Sequence, residues 1–311
     1  MRLVFLGTPA FAVPTLESIV AAGHDVVEVI TQPDRPRGRG QHLAPSPVKE
    51  AALRLAIPVY QPERVRRPEA QEHLRELAAE AMVVVGYGQI IPQSVIDMAP
   101  LGIINVHASL LPKYRGAGPI QWAIVNGETR TGVTTMRIDA GMDTGQMLLK
   151  AETEIGPEEN ALELGRRLST MGAELLVRTL EGLAAGTIVG EKQDNDQATY
   201  APLLKKEDGA VDWSRPAQQI HNRVRGLQPW PGAYTAFRGH ALHLWRTRVV
   251  ESGGTAAPGT VLSVRPLTVQ CGSGSLELLD VQMEGRKRVP AGDFANGQRL
   301  TENEILGEAH A

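Results

Sequence analysis

The first half of the chain alternates two hydrophobic periods. Arg2–Leu6 is a short apolar run that ends at Gly7, and Asp25–Thr31 (DVVEVIT) is rich in β-branched residues. Met82–Val85 is apolar at every position, as expected for a strand buried on both faces of a parallel sheet. Gly102–Val106 and Gly132–Ile138 are further strand candidates. Between them lie stretches of helical character: Phe11–Ala22, Pro47–Ala56, the charged but Leu-bearing Glu69–Glu80, and Ile120–Val125. This alternation predicts an α/β fold with a doubly wound, mostly parallel sheet. Ligands of such sheets bind outside the carboxyl ends of the strands.

Pro157 is expected to open a long helix, with Glu158 and Glu159 near its positive end. Leu164, Leu168, Met171 and Leu175 follow helical spacing, and Gly186 suits the position just past the end. From Gly190 to Leu204 the chain is polar and aperiodic, which reads as a linker over 190–204. The expected domains are then 1–189 and 205–311. The second opens with a helix near Pro216–Val224. Short strands follow at Ala233–Phe237, Ala241–Val250, Thr260–Val264, Thr268–Cys271 and Leu276–Gln282. Their spacing predicts a small antiparallel β-barrel.

Composition narrows the classes. Hydrophobic residues make up 42% of the 311 and charged residues 22%, enough for a packed core. Aromatics are only 4%, little material for an aromatic-lined single-strand groove. The net charge is −3, so the whole chain is not built to hold a polyanion, although a local basic patch can do so. From Lys205 onward there are 13 basic and 11 acidic residues, a mild bias toward nucleic acid at this end. The lone Cys271 excludes an internal disulfide and any cysteine cluster for zinc, and reads as buried packing. The apolar stretch Leu3–Leu6 is too short for a signal peptide or a membrane span, so a cytoplasmic protein is expected.

The segment Gly102–Gly118 (GIINVHASLLPKYRGAG) holds the strongest chemistry. Asn105 and His107 are two apart at the end of a strand, so their side chains leave the same face. A histidine in such a place is often structural. The second element, Arg137–Gly145 (RIDAGMDTG), also follows an apolar strand. Asp139 and Asp143 could belong to an ordinary Asp-Gly turn. If Asp143 reached His107, the three would form an amide donor, an imidazole and a carboxylate that fixes its tautomer. This set contains no nucleophile, and Ser109 lacks an elbow motif. It suits direct acyl transfer between two substrates, with donors aimed at an oxyanion and a carboxylate assisting proton removal.

Asn-x-His, then Ser-Leu-Leu-Pro-x-x-Arg-Gly, then Gly-x-Asp-Thr-Gly resemble the 10-formyltetrahydrofolate-dependent formyltransferases. The resemblance runs from about residue 2 to beyond residue 280. Phe5–Ala12, Thr31–Val48, Asp212–Trp213 and Pro229–Trp230–Pro231 are most similar to the branch that formylates the methionyl amine of initiator tRNA. The resemblance implies a Rossmann-like catalytic domain, an OB-like C-terminal domain that binds tRNA, and a monomer. It implies 10-formyltetrahydrofolate as co-substrate, and the scattered histidines with a lone cysteine predict no metal. It makes Asn105, His107 and Asp143 the catalytic trio, and Ser109, Leu110, Leu111 and Pro112 a folate-contacting loop. Val84, Gly86, Tyr87, Gly88, Ile90 and Asp139 would wall the pterin pocket. Arg35, Arg37 and Arg39 would lie on a loop that enters the acceptor-stem end of the tRNA, with Arg39 the key arginine.

Lys49, Lys205, Lys206, Arg286 and Lys287 are candidate contacts to the nucleic-acid backbone, although each also fits a solvated face. Gly7-Thr8-Pro9 is not a dinucleotide fingerprint, which argues against a nicotinamide enzyme. His240 and His243 face opposite ways on a strand and make a poor metal pair. The rival readings are a formyltransferase for glycinamide ribonucleotide or a sugar nucleotide amine, a hydrolase using water, and a non-catalytic tRNA-binding homologue.

Overall fold

The computed structural model describes residues 1–37, 42–250 and 255–307. In chain order its strands and α-helices are β1 (Arg2–Gly7), α1 (Val13–Ala21), β2 (Asp25–Ile30), β3 (Arg35–Arg37), β4 (His42–Ala44), α2 (Pro47–Arg54), β5 (Val59–Tyr60), α3 (Pro68–Glu76), β6 (Ala81–Val85), α4 (Gln93–Ile96) and β7 (Ile103–His107). Then come α5 (Pro119–Val125), β8 (Arg130–Arg137), β9 (Met147–Glu154), α6 (Ala161–Ala184), α7 (Ala217–Gly226), β10 (Ala233–Phe237), β11 (His240–Val250), β12 (Val261–Val264), β13 (Leu267–Gln270), β14 (Ser275–Met283), β15 (Val289–Pro290) and α8 (Ala291–Gln298).

Two compact units emerge. The first holds Met1–Gly116, Arg130–Glu154 and Gly165–Ala201; the second holds Ala117–Thr129, Ile155–Leu164 and the chain from Pro202. The first is built on a sheet of order β5-β2-β1-β6-β7-β8-β9. Its strands from β5 to β7 pair in parallel, and β8 and β9 add antiparallel pairs. β6 (AMVVV) is buried at all five positions, the cost-free place for a strand with no polar side chain. The direction of winding reverses between β1 and β6, so the crevice outside their carboxyl ends is where a doubly wound sheet receives its ligand.

The helix borders follow local chemistry. Ser46 caps α2 by accepting the Lys49 N–H at 3.1 Å, with Pro47 in the first turn. The long helix starts at Ala161 rather than at the expected Pro157. Asn160 is its cap: Asn160 Oδ1 accepts from the Leu162 and Glu163 N–H groups, and Glu163 Oε2 accepts from the Asn160 N–H at 3.0 Å. This reciprocal capping outcompetes the proline signal three residues upstream. α3 ends at Glu76, not at Glu80, because Ala78 turns left-handed (φ 48°) to enter β6.

In the second unit the strands form an antiparallel sheet of order β10-β11-β14-β13-β12, with β15 paired to β14. Its core includes Trp213, Ile220, Phe237, Leu244, Cys271, Leu276 and Phe294. The Trp213 indole N–H reaches Thr235 Oγ1 at 2.9 Å, the partner a buried tryptophan needs. Burial pushes the Cys271 thiol up to about 12. α5 and α7 pack closely: a Cβ on Gly226 would stand 2.8 Å from Val125 Cγ2. Among the described residues no helix is long and apolar enough to cross a membrane.

Candidate active site

β7 supplies the first two groups. Its carboxyl end carries Asn105, half-buried, and His107, 6% exposed. Among the described residues the Asn105 side-chain amide makes no hydrogen bond, so both of its N–H donors are open to a ligand. The His107 ring lies between two protein groups. Its Nε2 is 2.9 Å from the Tyr114 carbonyl oxygen. A carbonyl only accepts, so Nε2 is the donor of this hydrogen bond. Nδ1 faces Asp143 Oδ2 at 3.6 Å, longer than a hydrogen bond.

Asp143 reaches this place by an unexpected route. β8 runs antiparallel to β7 with Ile104 opposite Arg137, so the carboxyl end of β8 lies beside the amino end of β7. The motif is therefore not at the ligand edge merely by following a strand. The 138–146 connection must fold back along β7 to bring Asp143 to His107. Asp143 itself turns left-handed (φ 52°), a conformation that aspartate tolerates better than most residues. Its Oδ2 accepts the Gly116 N–H at 2.9 Å, and Oδ1 makes no hydrogen bond among the described residues. Asp139 serves the same connection: its Oδ1 accepts from the Gly141 N–H at 3.1 Å and from Thr144 Oγ1 at 2.7 Å. Asp139 thus builds the turn.

The loop after β7 is tied down at each step. Ser109 Oγ donates to the Lys113 carbonyl at 2.6 Å. Thr134 on β8 donates to the Ser109 carbonyl at 2.7 Å and accepts the Leu111 N–H at 3.1 Å. Leu111 is buried with Met136 and Met147, Leu110 is half-buried, and Pro112 is half-buried beside them. At the β6 end, Val84 belongs to the core, as does the Tyr87 ring, packed with Leu6, Ile30 and Val95. Burial pushes the Tyr87 hydroxyl up to about 12. What Tyr87 offers the crevice is its backbone, whose carbonyl accepts from Thr8 Oγ1 and Gln32 Nε2, each at 3.1 Å. Gly86 and Gly88 are exposed at positive φ, and a Cβ on Gly86 would stand 2.9 Å from Pro9 Cγ. Ile90 is 91% exposed.

Three residues near the trio carry no sequence motif of their own. Thr134 lies inside an apolar strand. Gln193 and Thr199 fall in the polar stretch read as a linker. Gln193 is 4% exposed, and its Nε2 donates to the carbonyls of Asp143 and Gly145 at 2.7 and 2.8 Å. Only the burial of a polar residue marks it, and burial is invisible in an aperiodic segment.

The basic candidates fall in several places. Arg35 and Arg37 lie on β3, which pairs with β4 as a two-stranded hairpin. Arg39 lies outside the described residues. Lys49 Nζ is engaged by Asp34 Oδ2 at 2.6 Å and Gln61 Oε1 at 2.7 Å, so any phosphate would compete with that ion pair. The hydrogen bond from Lys49 holds the Asp34 carboxyl below its usual range. Lys205 and Lys206 are exposed at the start of the second unit's final stretch, and Arg286 and Lys287 are exposed between β14 and β15. Among the described residues no three His, Cys, Asp or Glu side chains are grouped to hold a metal ion.

The family model described as formyl transferase matches residues 1–180, and that described as formyl transferase, C-terminal domain, matches residues 203–299. The methionyl-tRNA formyltransferase of Solibacter usitatus (strain Ellin6076) is 76% identical over 310 residues, covering 100% of both chains. That of Geobacter sulfurreducens is 52% identical, covering 99% of this chain and 98% of its own. Among solved structures, an N-formyltransferase from Helicobacter canadensis, in complex with folinic acid and dTDP-3-aminofucose, shares the fold. Its TM-score is 0.68 at 18% identity, covering 93% of this chain and 100% of that one.

Proposed function

The chain belongs to the formyl transferase family across both of its domains, and on that premise we propose that it moves the formyl group of 10-formyltetrahydrofolate to the α-amine of methionine on initiator tRNA. The observation that carries this reading is the convergence of a free amide, Asn105, with the His107–Asp143 pair at 3.6 Å. In this reading residues 1–189 perform the chemistry, residues 205–311 bind tRNA, and 190–204 join them. The protein works as a monomer in the cytoplasm.

The folate co-substrate supplies an activated formyl group on N10. The crevice between the loops after β1 and β6 receives its pterin. Val84, Gly86, Tyr87, Gly88, Ile90 and Asp139 belong to its walls, largely through backbone, and Ser109, Leu110, Leu111 and Pro112 form the loop alongside. The free-base amine attacks the formyl carbon, and its lone pair becomes the new C–N bond. The carbonyl electron pair moves on to oxygen. The Asn105 amide donates to that oxyanion, and His107 donates from Nδ1, the atom that faces Asp143. Asp143 Oδ1 takes the proton released by the amine. The bond to N10 then breaks, its electron pair staying on nitrogen, which takes up the proton that Asp143 received from the amine.

The acceptor is chosen by basic groups. Arg35, Arg37 and Arg39 address the acceptor end, and Lys205, Lys206, Arg286 and Lys287 contact phosphates. Lys49 supports the hairpin that carries the arginines. One assay tests the reading. Protein and 10-formyltetrahydrofolate are mixed with methionyl initiator tRNA, glycinamide ribonucleotide, a sugar nucleotide amine, or buffer. Formylmethionyl-tRNA forming only in the first tube is the expected result. Consumption in another tube moves the acceptor; no consumption in any tube favours a binding protein without catalysis.

A further inference from the structure

Of three consecutive residues after β7, the outer two each grip one part of the His107–Asp143 pair. The Tyr114 carbonyl accepts from His107 Nε2 at 2.9 Å. The Gly116 N–H donates to Asp143 Oδ2 at 2.9 Å. Arg115, between them, acts at one remove. It is 2% exposed, and its Nε and Nη2 donate to Gln193 Oε1 at 2.9 and 2.8 Å. Nη2 also donates to Asn195 Oδ1 at 2.9 Å. The acceptors of this buried guanidinium are amide oxygens rather than carboxylates.

Gln193 passes that interaction on. Both of its N–H donors are used, one on the Asp143 carbonyl at 2.7 Å and one on the Gly145 carbonyl at 2.8 Å. Both lone pairs of its oxygen face Arg115. The four contacts fix the amide's orientation. A flipped amide would set NH₂ against guanidinium and oxygen against two carbonyls. The cation polarises the amide and so strengthens its two donors. These donors hold the backbone on either side of Thr144, where Asp143 keeps its left-handed conformation (φ 52°). The 114–116 segment is anchored in turn by Thr199: its Oγ1 accepts the Tyr114 N–H at 2.8 Å and its carbonyl accepts the Arg115 N–H at 2.9 Å.

We propose that Gln193 and Arg115 are positioning residues for the formyl-transfer step, a buried relay that sets the main chain of Asp143 so that its carboxylate meets His107 and the incoming amine. The proposal rests on the reading of Asn105, His107 and Asp143 given above. It assigns a function to residues within the polar 190–204 stretch. It also explains the need for glutamine at 193, the side chain that donates twice and accepts twice at that length.

Gln193→Glu separates the alternatives. It keeps an acceptor for Arg115 and places oxygens against the Asp143 and Gly145 carbonyls. The expected result is a fall in kcat of about tenfold to a hundredfold, the usual consequence of a misplaced reacting group. KM for methionyl-tRNA should change less than about threefold, because the basic groups assigned to it lie outside the 139–146 segment. Hydrogen exchange of the full-length protein should accelerate in the 139–146 peptide and nowhere else. In an Asp143→Asn background, Gln193→Glu should cost little more, since residues acting as one unit are not additive. Arg115→Lys, which keeps the charge and loses the two-pronged donor, should fall between wild type and Gln193→Glu.

Wild-type kcat in Gln193→Glu, full additivity with Asp143→Asn, or exchange rising across the whole chain overturns the proposal, as does failure of both variants to fold. If wild-type protein fails to formylate methionyl-tRNA, the acceptor assignment falls. The exchange arm then decides the positioning role by itself, and an unaltered 139–146 peptide ends it.

Discussion

Asn105 is a half-buried amide with no protein partner, next to a histidine and an aspartate that are both engaged. An amide left open in a crevice is costly unless a ligand completes it. Asn105→Ala should therefore cost little stability and lower kcat by about a hundredfold to a thousandfold, the range for losing one oxyanion donor. A steady-state assay with the melting temperature alongside checks it; near-normal kcat removes Asn105 from the mechanism. His221 shows the opposite arrangement, a histidine satisfied as the neutral ring. Its Nδ1 meets Thr247 Oγ1 at 3.0 Å and its Nε2 the Pro157 carbonyl at 3.4 Å, with Glu158 Oε1 3.9 Å away and Arg225 nearby. Burial lowers its pKa below the usual 6.5; Glu158 and the Pro157 carbonyl oppose this and Arg225 adds to it. The unfolded chain then takes up a proton near pH 6.5 that the folded chain refuses, so this contribution to stability is full above pH 6.5 and declines as pH falls toward the folded value. Urea midpoints between pH 7.5 and 5 should drop, and His221→Gln should flatten that slope; an equal slope in the variant refutes the assignment. The pairing of Asn105 with His107 is legible in sequence because a spacing of two on a strand fixes a shared face, whereas Asp143 joins them in the sequence only through the family resemblance. Gln193 is not legible, since its role comes only from contacts across 50 positions of chain.

Elements were legible where periodicity was strong, and their borders where capping chemistry was unambiguous. The central strands β1, β2, β6 and β7 stand out as mainly apolar runs, because most of their positions are buried in the sheet. β9 (MLLKAETE) begins with two buried positions and then alternates half-buried with exposed ones at the sheet's edge, and its charged half masks it. The β3–β4 pair reads as a loop because Arg35-Pro36-Arg37 carries no strand propensity; just before it Lys49 and Asp34 pair at 2.6 Å. The start of α6 shows two signals in competition. Pro157 and two glutamates look like a first turn, yet Asn160 and Glu163 bind each other's backbone and take the cap. Asn160→Ala should then destabilise the protein by about 1 kcal/mol, the typical worth of a lost cap, whereas Glu158→Ala should change it far less. Chemical denaturation of both variants checks this, and equal effects would return the helix start to Pro157.

At the scale of the molecule, chain order and compactness do not coincide. α5 and the 155–164 segment cluster with residues beyond 202, although they interrupt the stretch that builds the parallel sheet. Their contacts within that unit are specific. The Trp122 indole N–H donates to the Pro202 carbonyl at 2.8 Å, Arg225 Nη1 donates to the carbonyls of Gly156 and Glu159 at 2.9 Å each, and Gly226 lets α7 approach α5. No periodicity reveals such interleaving, because it rests on contacts between segments far apart in the chain. A consequence follows for truncation. A chain ending at residue 201 keeps Gln193 and Thr199, and thus every group that grips the His107–Asp143 pair. It strips α5 and 155–164 of the partners that bury them. Exposed apolar surface and unpaired carbonyls on those segments should lower the melting temperature and open early proteolytic cleavage sites within 117–129 and 155–164. Melting followed by circular dichroism, with timed proteolysis and mass mapping, measures both effects. A 1–201 chain that melts cooperatively at the full-length temperature, with those segments protected, would show that the second unit contributes recognition alone and nothing to the folding of the first.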